Sequence, residues 1–212
     1  MQAMLPPQEL PSKDFGAEKA RLRAAALARR AEMGALARAR AADAAVARAM
    51  ASIPAFHAPR GRRIALFASF RDEIDTLPLA RALWARGALL ALPVIVGRGM
   101  PLLFRAWHEG ADLTPAGAFR ILTPGPECPE VVPDALLVPL AAFDRRGLRI
   151  GYGGGFYDRT LAGLRRRGPV TAVGFAFACQ QVDAVPAEPH DEAVDVMVTE
   201  SETFSAAADT GS

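Results

Sequence analysis

Five apolar runs of the chain are continuous rather than alternating: RRIALFASF (62 to 70), ALLALPVIV (88 to 96), DALLVPLAAF (134 to 143), VTAVGFAFA (170 to 178) and VDVMV (194 to 198). A strand with one wet face alternates polar and apolar residues, whereas a strand covered on both faces reads as an unbroken run. Helical stretches are expected between them, near Asp75 to Arg86 after the first run and from about Phe156 to Arg167 after the third. Strand, helix, strand order requires right-handed crossovers. The expected class is therefore α/β, a three-layer α/β/α arrangement around a mainly parallel sheet.

Ahead of that pattern, Ala17 to Ala51 is dominated by alanine, arginine and leucine, strong helix formers, with Gly34 as the sole interruption. One long N-terminal helix is expected, either continuous or broken near Gly34. Ala, Leu, Val and Met recur among its arginines as on a helix packed along one face, which favours a solvated arginine face over a nucleic-acid arm. Residues 1 to 15, with Pro6, Pro7 and Pro11, read as a disordered lead-in, residues 16 to 202 as one domain, and residues 203 to 212 as a frayed tail. A 212-residue chain is long enough for a substantial core.

Composition removes several functions. No apolar run approaches the ~18 residues of a membrane span, and the start, MQAMLPPQELPSKDF, has no basic leader or apolar stretch of a secretory signal. A cytoplasmic location is expected. Cys128 and Cys179 make no metal-ligand spacing and are expected to be reduced. A formal charge of +2 is too small to argue for nucleic acid, but the basic residues are nearly all arginine, which suits planar anions such as phosphates and carboxylates.

The stretch RIGYGGGFYDR (149 to 159) opens the helix after the third run. Three successive glycines weaken any regular element, so something else must favour them. Open α/β sheets place ligands at the carboxyl ends of their strands, and a helix N-terminus offers unpaired N–H groups to an anion. Bare glycines at 153 to 155 would let a phosphate approach the main chain, with positive φ expected at Gly154. Asp158 in the first helical turn would hold a hard cation such as Mg²⁺. The GxxxxGK[ST] phosphate loop is absent, and GxGxxG fails at Phe156. A plain strand-to-helix turn, with Asp158 as a helix-start charge, explains the loop equally well if it is taken alone.

The loop belongs to an ordered series: Phe143-Asp144, Gly147, the glycines through Tyr157-Asp158-Arg159, Gln180 to Pro186, His190-Asp191 and Thr199-Glu200. That series resembles the C-terminal half of the 5-formyltetrahydrofolate cyclo-ligase family. Lys19-Ala-Arg-Leu22-Arg23 is similar to the family's KxxLR start, and Ser69 to Thr76 to its segment after the first strand. Met100, Phe104 and Trp107 match its spaced Met, Phe and Trp, while the stretch around Pro124 is a looser version of the family pattern. The likeness runs from about residue 17 to 200.

The resemblance implies a fold like the NagB/RpiA/CoA-transferase group and an ATP-dependent ligase, acting as a monomer without nucleic acid or membrane. Its substrate would be 5-formyltetrahydrofolate. It also implies roles. Lys19, Arg23, Arg149, Ile150, Gly151, Tyr152, Gly153, Gly154, Gly155, Phe156 and Tyr157 would hold ATP, with Tyr152 to Phe156 also lining the folate side. Glu73 would bind the folate ring system, and Met100, Phe104 and Trp107 would wall its aminobenzoyl portion. Asp158 and Asp191 would be the Mg²⁺ ligands.

From the residues alone, Lys19 and Arg23 are equally consistent with a solvated helix face, Met100, Phe104 and Trp107 with core, and Asp191 with a turn. His57 and His108 read as surface residues, Arg165 to Arg167 as helix-end charges that suit the dipole, and His190 either as a turn residue or as a neighbour positioning Asp191. Two other functions fit parts of the pattern: a sugar-phosphate isomerase or group transferase with a glycine loop, and a nucleic-acid module on the arginine-rich helix. The first does not account for Lys19, Glu73 and Asp191 together, and the second predicts affinity that falls steeply with salt.

Overall fold

The computed structural model describes residues 15 to 117 and 120 to 206. Residues 1 to 14 of the expected lead-in lie outside the described residues, and Phe15 already opens a helix. The expected N-terminal helix is broken at Gly34 into two, α1 (Phe15–Glu32) and α2 (Ala35–Ser52). Gly34 caps α2 in an extended conformation. Glycine is the weakest ordinary helix former, and the break lets the two helices pack on different surfaces. α2 buries a stripe of small residues, Ala41, Ala42, Ala45 and Ala49, which permits close approach to the sheet. Pro54 then starts the short α3 (Pro54–His57) at the position where a missing N–H costs least.

The chain continues through β1 (Arg63–Ala65), α4 (Leu77–Ala85), β2 (Leu89–Val94), β3 (Leu103–Trp107), β4 (Thr114–Ala116), β5 (Ile121–Thr123), β6 (Ala135–Val138), β7 (Ala142–Phe143) and β8 (Arg149–Ile150). It ends with α5 (Phe156–Arg167), β9 (Thr171–Phe175), β10 (Val196–Val198) and β11 (Thr203–Ser205). Seven strands form one sheet in the order β11-β10-β9-β6-β1-β2-β3. The inner five are mutually parallel, and β3 and β11 are antiparallel edges.

Alternate residues of the inner strands face opposite layers, as a period of two requires. Ile64, Leu66, Leu90, Leu92, Leu137, Val173 and Phe175 pack with α2, α3 and α4. Ala65, Ala91, Leu136, Val138, Ala172 and Met197 pack with Leu161 and Leu164 of α5. Both faces are covered, so the strands read as continuous apolar runs, and the layers are helix, sheet, helix.

Two expectations fail. The run from 134 to 143 is not one strand: β6 ends at Val138, and Ala142–Phe143 pair with β8 in a separate two-stranded ribbon. Pro139 follows β6 directly, and proline cannot donate to a ladder. The glycine loop therefore follows this ribbon rather than a parallel strand. Nor is the segment after Glu202 wholly frayed. β11 pairs with β10 in register Val196↔Ser205 to Val198↔Thr203, while Phe204 lies 6.4 Å from the Phe143 ring and under the Arg145 guanidinium.

Candidate active site

The strand order reverses at the centre of the sheet. From β1 the chain moves to β2 on one side, and it later returns to β6 on the other. The segments leaving the carboxyl ends of these two strands diverge, and such a switch point is where open α/β sheets hold ligands. Here they are residues 66 to 76 and residues 139 to 155. α1 closes the same end, with Leu22 and Ala26 against Ala142, Ile150 and Val185.

Within the glycine loop, Gly153 (φ 90°) and Gly155 (φ 60°) occupy the left-handed region, and Gly155 caps α5. Gly154 does not, contrary to expectation. Its bareness is demanded by Phe156, whose ring would stand 2.6 Å from a Cβ there. Among the described residues, the amides of Gly153, Gly154 and Gly155 donate to no protein acceptor. Nearby carbonyls are occupied: Arg23 Nε donates to Gly151 O at 2.7 Å, and Arg159 Nη2 donates to Gly154 O. The loop thus presents amides at the positive end of a helix, the arrangement that attracts an anion.

Beside the loop lies an ionic cluster. Lys19 Nζ donates to Asp191 Oδ2 at 2.6 Å and to Glu188 Oε2 at 2.7 Å. Burial would lower the Lys19 pKa, but the hydrogen bonds from Asp191 and Glu188 outweigh it and raise the value above 10.5. The ammonium is therefore charged at neutral pH, and its stabilising contribution fades only as pH climbs past that alkaline range. Arg149 Nη1 donates to Asp158 Oδ1 at 2.9 Å and to Glu192 O at 2.7 Å, and Glu192 N donates to the same Asp158 oxygen at 3.2 Å.

Asp158 and Asp191 are thus linked through the 188 to 192 segment, despite their distance in sequence. Glu188, His190 and Asp191 place ligand atoms within 4.8 Å of one another. Sequence reasoning missed Glu188, because nothing in its spacing marks it. A set dominated by carboxylate oxygens suits a hard divalent cation.

On the other side of the loop, Tyr152 OH donates to Glu73 Oε1 at 2.7 Å, and Phe70 N donates to Glu73 Oε2 at 2.9 Å. Burial raises the Glu73 pKa above 4.5, against the lowering effect of Tyr152, Phe70 and Arg30. Burial, with Glu73 nearby, likewise pushes the Tyr152 phenol up to about 12. Arg30, nearly buried, donates to Tyr152 OH at 3.2 Å and pairs with Asp72 Oδ1 at 2.7 Å. Its Nε has no partner among the described residues, and Glu73, Phe67 and Gln180 stand around the same spot. Sequence reasoning missed Arg30. Yet positions 19, 23 and 30 fall on one face of α1, since eleven residues make about three turns.

Some expected contributors lie elsewhere. Met100, Phe104 and Trp107 do not form one wall: Phe104 is in the core beneath α5, whereas Trp107 packs edge-on against Trp84 at 4.5 Å, and Met100 is exposed. Residues three apart on a strand face opposite ways, so Phe104 and Trp107 of β3 cannot share a surface. Ile150 is a core residue against α1, and Tyr157 packs on the α5-side core, where burial raises its phenol pKa.

Comparison with known proteins identifies the family and the fold. The model of the 5-formyltetrahydrofolate cyclo-ligase family matches residues 16 to 200. The 5-formyltetrahydrofolate cyclo-ligase of Escherichia coli (strain K12) is 38% identical over 147 residues, covering 66% of this chain and 79% of the relative. That of Haemophilus influenzae is 37% identical over 137 residues, covering 62% and 72%. The NMR structure of Aquifex aeolicus 5,10-methenyltetrahydrofolate synthetase superposes with a TM-score of 0.74 at 30% identity, over 90% of this chain and 93% of that one. The match spans both halves of the fold, from α1 to β10 and the Thr199-Glu200 pair that follows it, so the chain belongs to the 5-formyltetrahydrofolate cyclo-ligase family.

Proposed function

We propose that this protein converts 5-formyltetrahydrofolate and ATP to 5,10-methenyltetrahydrofolate, ADP and phosphate. The observation that carries this reading is the meeting, at the sheet's switch point, of unpartnered loop amides with the Glu73–Tyr152 pair. One side suits a phosphate and the other a ring bearing N–H donors, which a buried carboxylate needs for compensation. A formamide oxygen is a poor leaving group. Its attack on the γ-phosphorus of ATP expels ADP and makes that oxygen part of a phosphate ester. The 10-nitrogen then adds to the activated carbon, and phosphate departs with the oxygen. Such transfer requires alignment and charge neutralisation more than a protein nucleophile.

The amides of 153 to 155, with Lys19, Arg23 and Arg149, hold the triphosphate. Glu73, with Tyr152 beside it, orients the folate. Asp158 and Asp191 would hold Mg²⁺, which neutralises phosphate charge when bound. Lys19 must then exchange at least part of its contact with Asp191 for phosphate. No helix among the described residues is long and apolar enough to cross a membrane. The reaction is assigned to a monomeric cytoplasmic enzyme of one domain that extends through β11.

The test is to mix purified protein, 5-formyltetrahydrofolate, Mg²⁺ and ATP, and to follow the near-ultraviolet absorbance of the methenyl product. Growth of that absorbance only when ATP is present is the expected result. Turnover without ATP would point to an isomerase, and no signal from folded protein would reject the reading.

A further inference from the structure

Two neighbouring arginines near the end of α1 are used differently. Arg29 is exposed and donates to the main-chain oxygens of Cys179 and Gln181, at 2.7 and 3.2 Å, which fastens the helix to the rest of the domain. Arg30 is 3% exposed, and its side-chain hydrogen bonds go to the two segments that diverge from the switch point. Nη2 donates to Asp72 Oδ1 at 2.7 Å on the first segment, and Nη1 and Nη2 each donate to Tyr152 OH at 3.2 Å on the second. One planar guanidinium thus bridges both segments, which the point charge of a lysine cannot do with the same geometry.

For the mere attachment of a helix this is an unfavourable arrangement. A buried cation needs compensation, yet part of the donor capacity of Arg30 goes to a neutral phenol, and its Nε is buried without a partner among the described residues. What the guanidinium secures is a direction. A phenol has a single O–H, and with two guanidinium donors on its oxygen that proton is left for Glu73 Oε1 at 2.7 Å. Phe70 N holds the other carboxylate oxygen at 2.9 Å. Glu73 is therefore fixed at both oxygens, and the side of it that still accepts is set by Tyr152, which Arg30 holds in turn.

We propose that Arg30 is a positioning residue for the folate: without touching the substrate, it orients the Tyr152 hydroxyl and so sets the direction in which Glu73 accepts the ring's N–H donors. The inference rests on the folate reading above. Arg23 has a different task. It lies two helical turns earlier on the same face and holds the glycine loop by its main chain, at Gly151 O. Loss of the contact between Arg30 and Tyr152 therefore leaves the amides of 153 to 155 in place and disturbs the Glu73 side.

The experiment measures kcat and the KM for each substrate, by the methenyl absorbance, in the wild type, Arg30→Lys, Tyr152→Phe and the double variant Arg30→Lys/Tyr152→Phe. Lysine keeps a charge opposite Asp72, so folding should survive, and thermal melting checks it. Arg30→Lys should raise KM for 5-formyltetrahydrofolate about tenfold, the scale of one charge-assisted hydrogen bond, with kcat and KM for ATP changed less than about twofold. Tyr152→Phe, which removes only a hydroxyl, should raise the folate KM by a similar factor. The double variant should match Tyr152→Phe alone, because residues that act through one another are not additive. An unaltered folate KM in either single variant, effects that multiply in the double variant, or equal rises in both KM values of Arg30→Lys would overturn the positioning role while leaving the folate reading intact. Absence of ATP-dependent product in the wild type would overturn both.

Discussion

The two sides of the glycine loop are built from different interactions. On one side Lys19, Glu188 and Asp191, and Arg149 with Asp158, are charges already paired with one another. On the other, a short chain runs from Asp72 through Arg30 and Tyr152 to one partly buried acid, Glu73. The ionic side can exchange partners: a phosphate can replace a carboxylate on Lys19, and a cation can replace Lys19 on Asp191, with little change in total charge. The Glu73 side has no such reserve, because burial rather than a counter-charge dominates the state of that acid. Binding there must supply donors directly.

The comparison is broken most sharply at Asp158. In Asp158→Asn, kcat is expected to fall about 10²- to 10³-fold, the usual loss when one group stabilising developing charge is removed, with circular dichroism unchanged. Near-normal kcat would show that this carboxylate serves Arg149 alone. Glu73→Gln should act on the other substrate, raising KM for the folate about 10- to 100-fold, as for loss of a charge-assisted hydrogen bond, with KM for ATP little altered.

The same residue sharpens the contrast through pH. If the ionised form accepts the folate's donors, the acid limb of kcat/KM should lie above 4.5, since burial raises this pKa, and should vanish in Glu73→Gln. A limb at or below the ordinary glutamate value would show that Glu73 is not the group being titrated.

Between the two sides stands Gly154. A valine there collides with the Phe156 ring, and overpacking of this kind costs about 1–3 kcal/mol. KM for ATP should rise in Gly154→Val, whereas normal nucleotide binding would show that the cradle is not formed by these amides. The smallest effect is expected far from the loop. Arg145 pairs with Glu202, but both side chains are well exposed. Arg145→Ala should lower stability by less than about 1 kcal/mol, a change in Tm of about 2–4 °C or less for a chain of this size. A larger drop in thermal melting would mean that stacking on Phe204 anchors β11.

Much of this was legible in the residue pattern. α5 runs from Phe156 to Arg167 as its composition suggested, and the inner strands fall within the continuous apolar runs. Lys19 and Arg23 share a helix face and both reach the site. Other features were hidden for stated reasons. Pro139 divides a run that is apolar on both sides of it. Strand geometry turns Phe104 away from Trp107, although sequence spacing groups them. Glu188 and Arg30 gain meaning only from partners 169 and 122 residues away along the chain, Lys19 and Tyr152 respectively.

What the sequence alone determined is local: periodicity, the helix formers, and the three glycines whose missing side chains free the main chain. Those are properties of neighbouring residues and of the backbone they share. The tertiary structure decided which distant groups meet, because the order of strands in a sheet, and hence its switch point, is set by the packing of both faces together. Glu73 acquires its raised pKa, and Tyr152 its acceptor, only once that crossing brings the two segments to one end of the sheet.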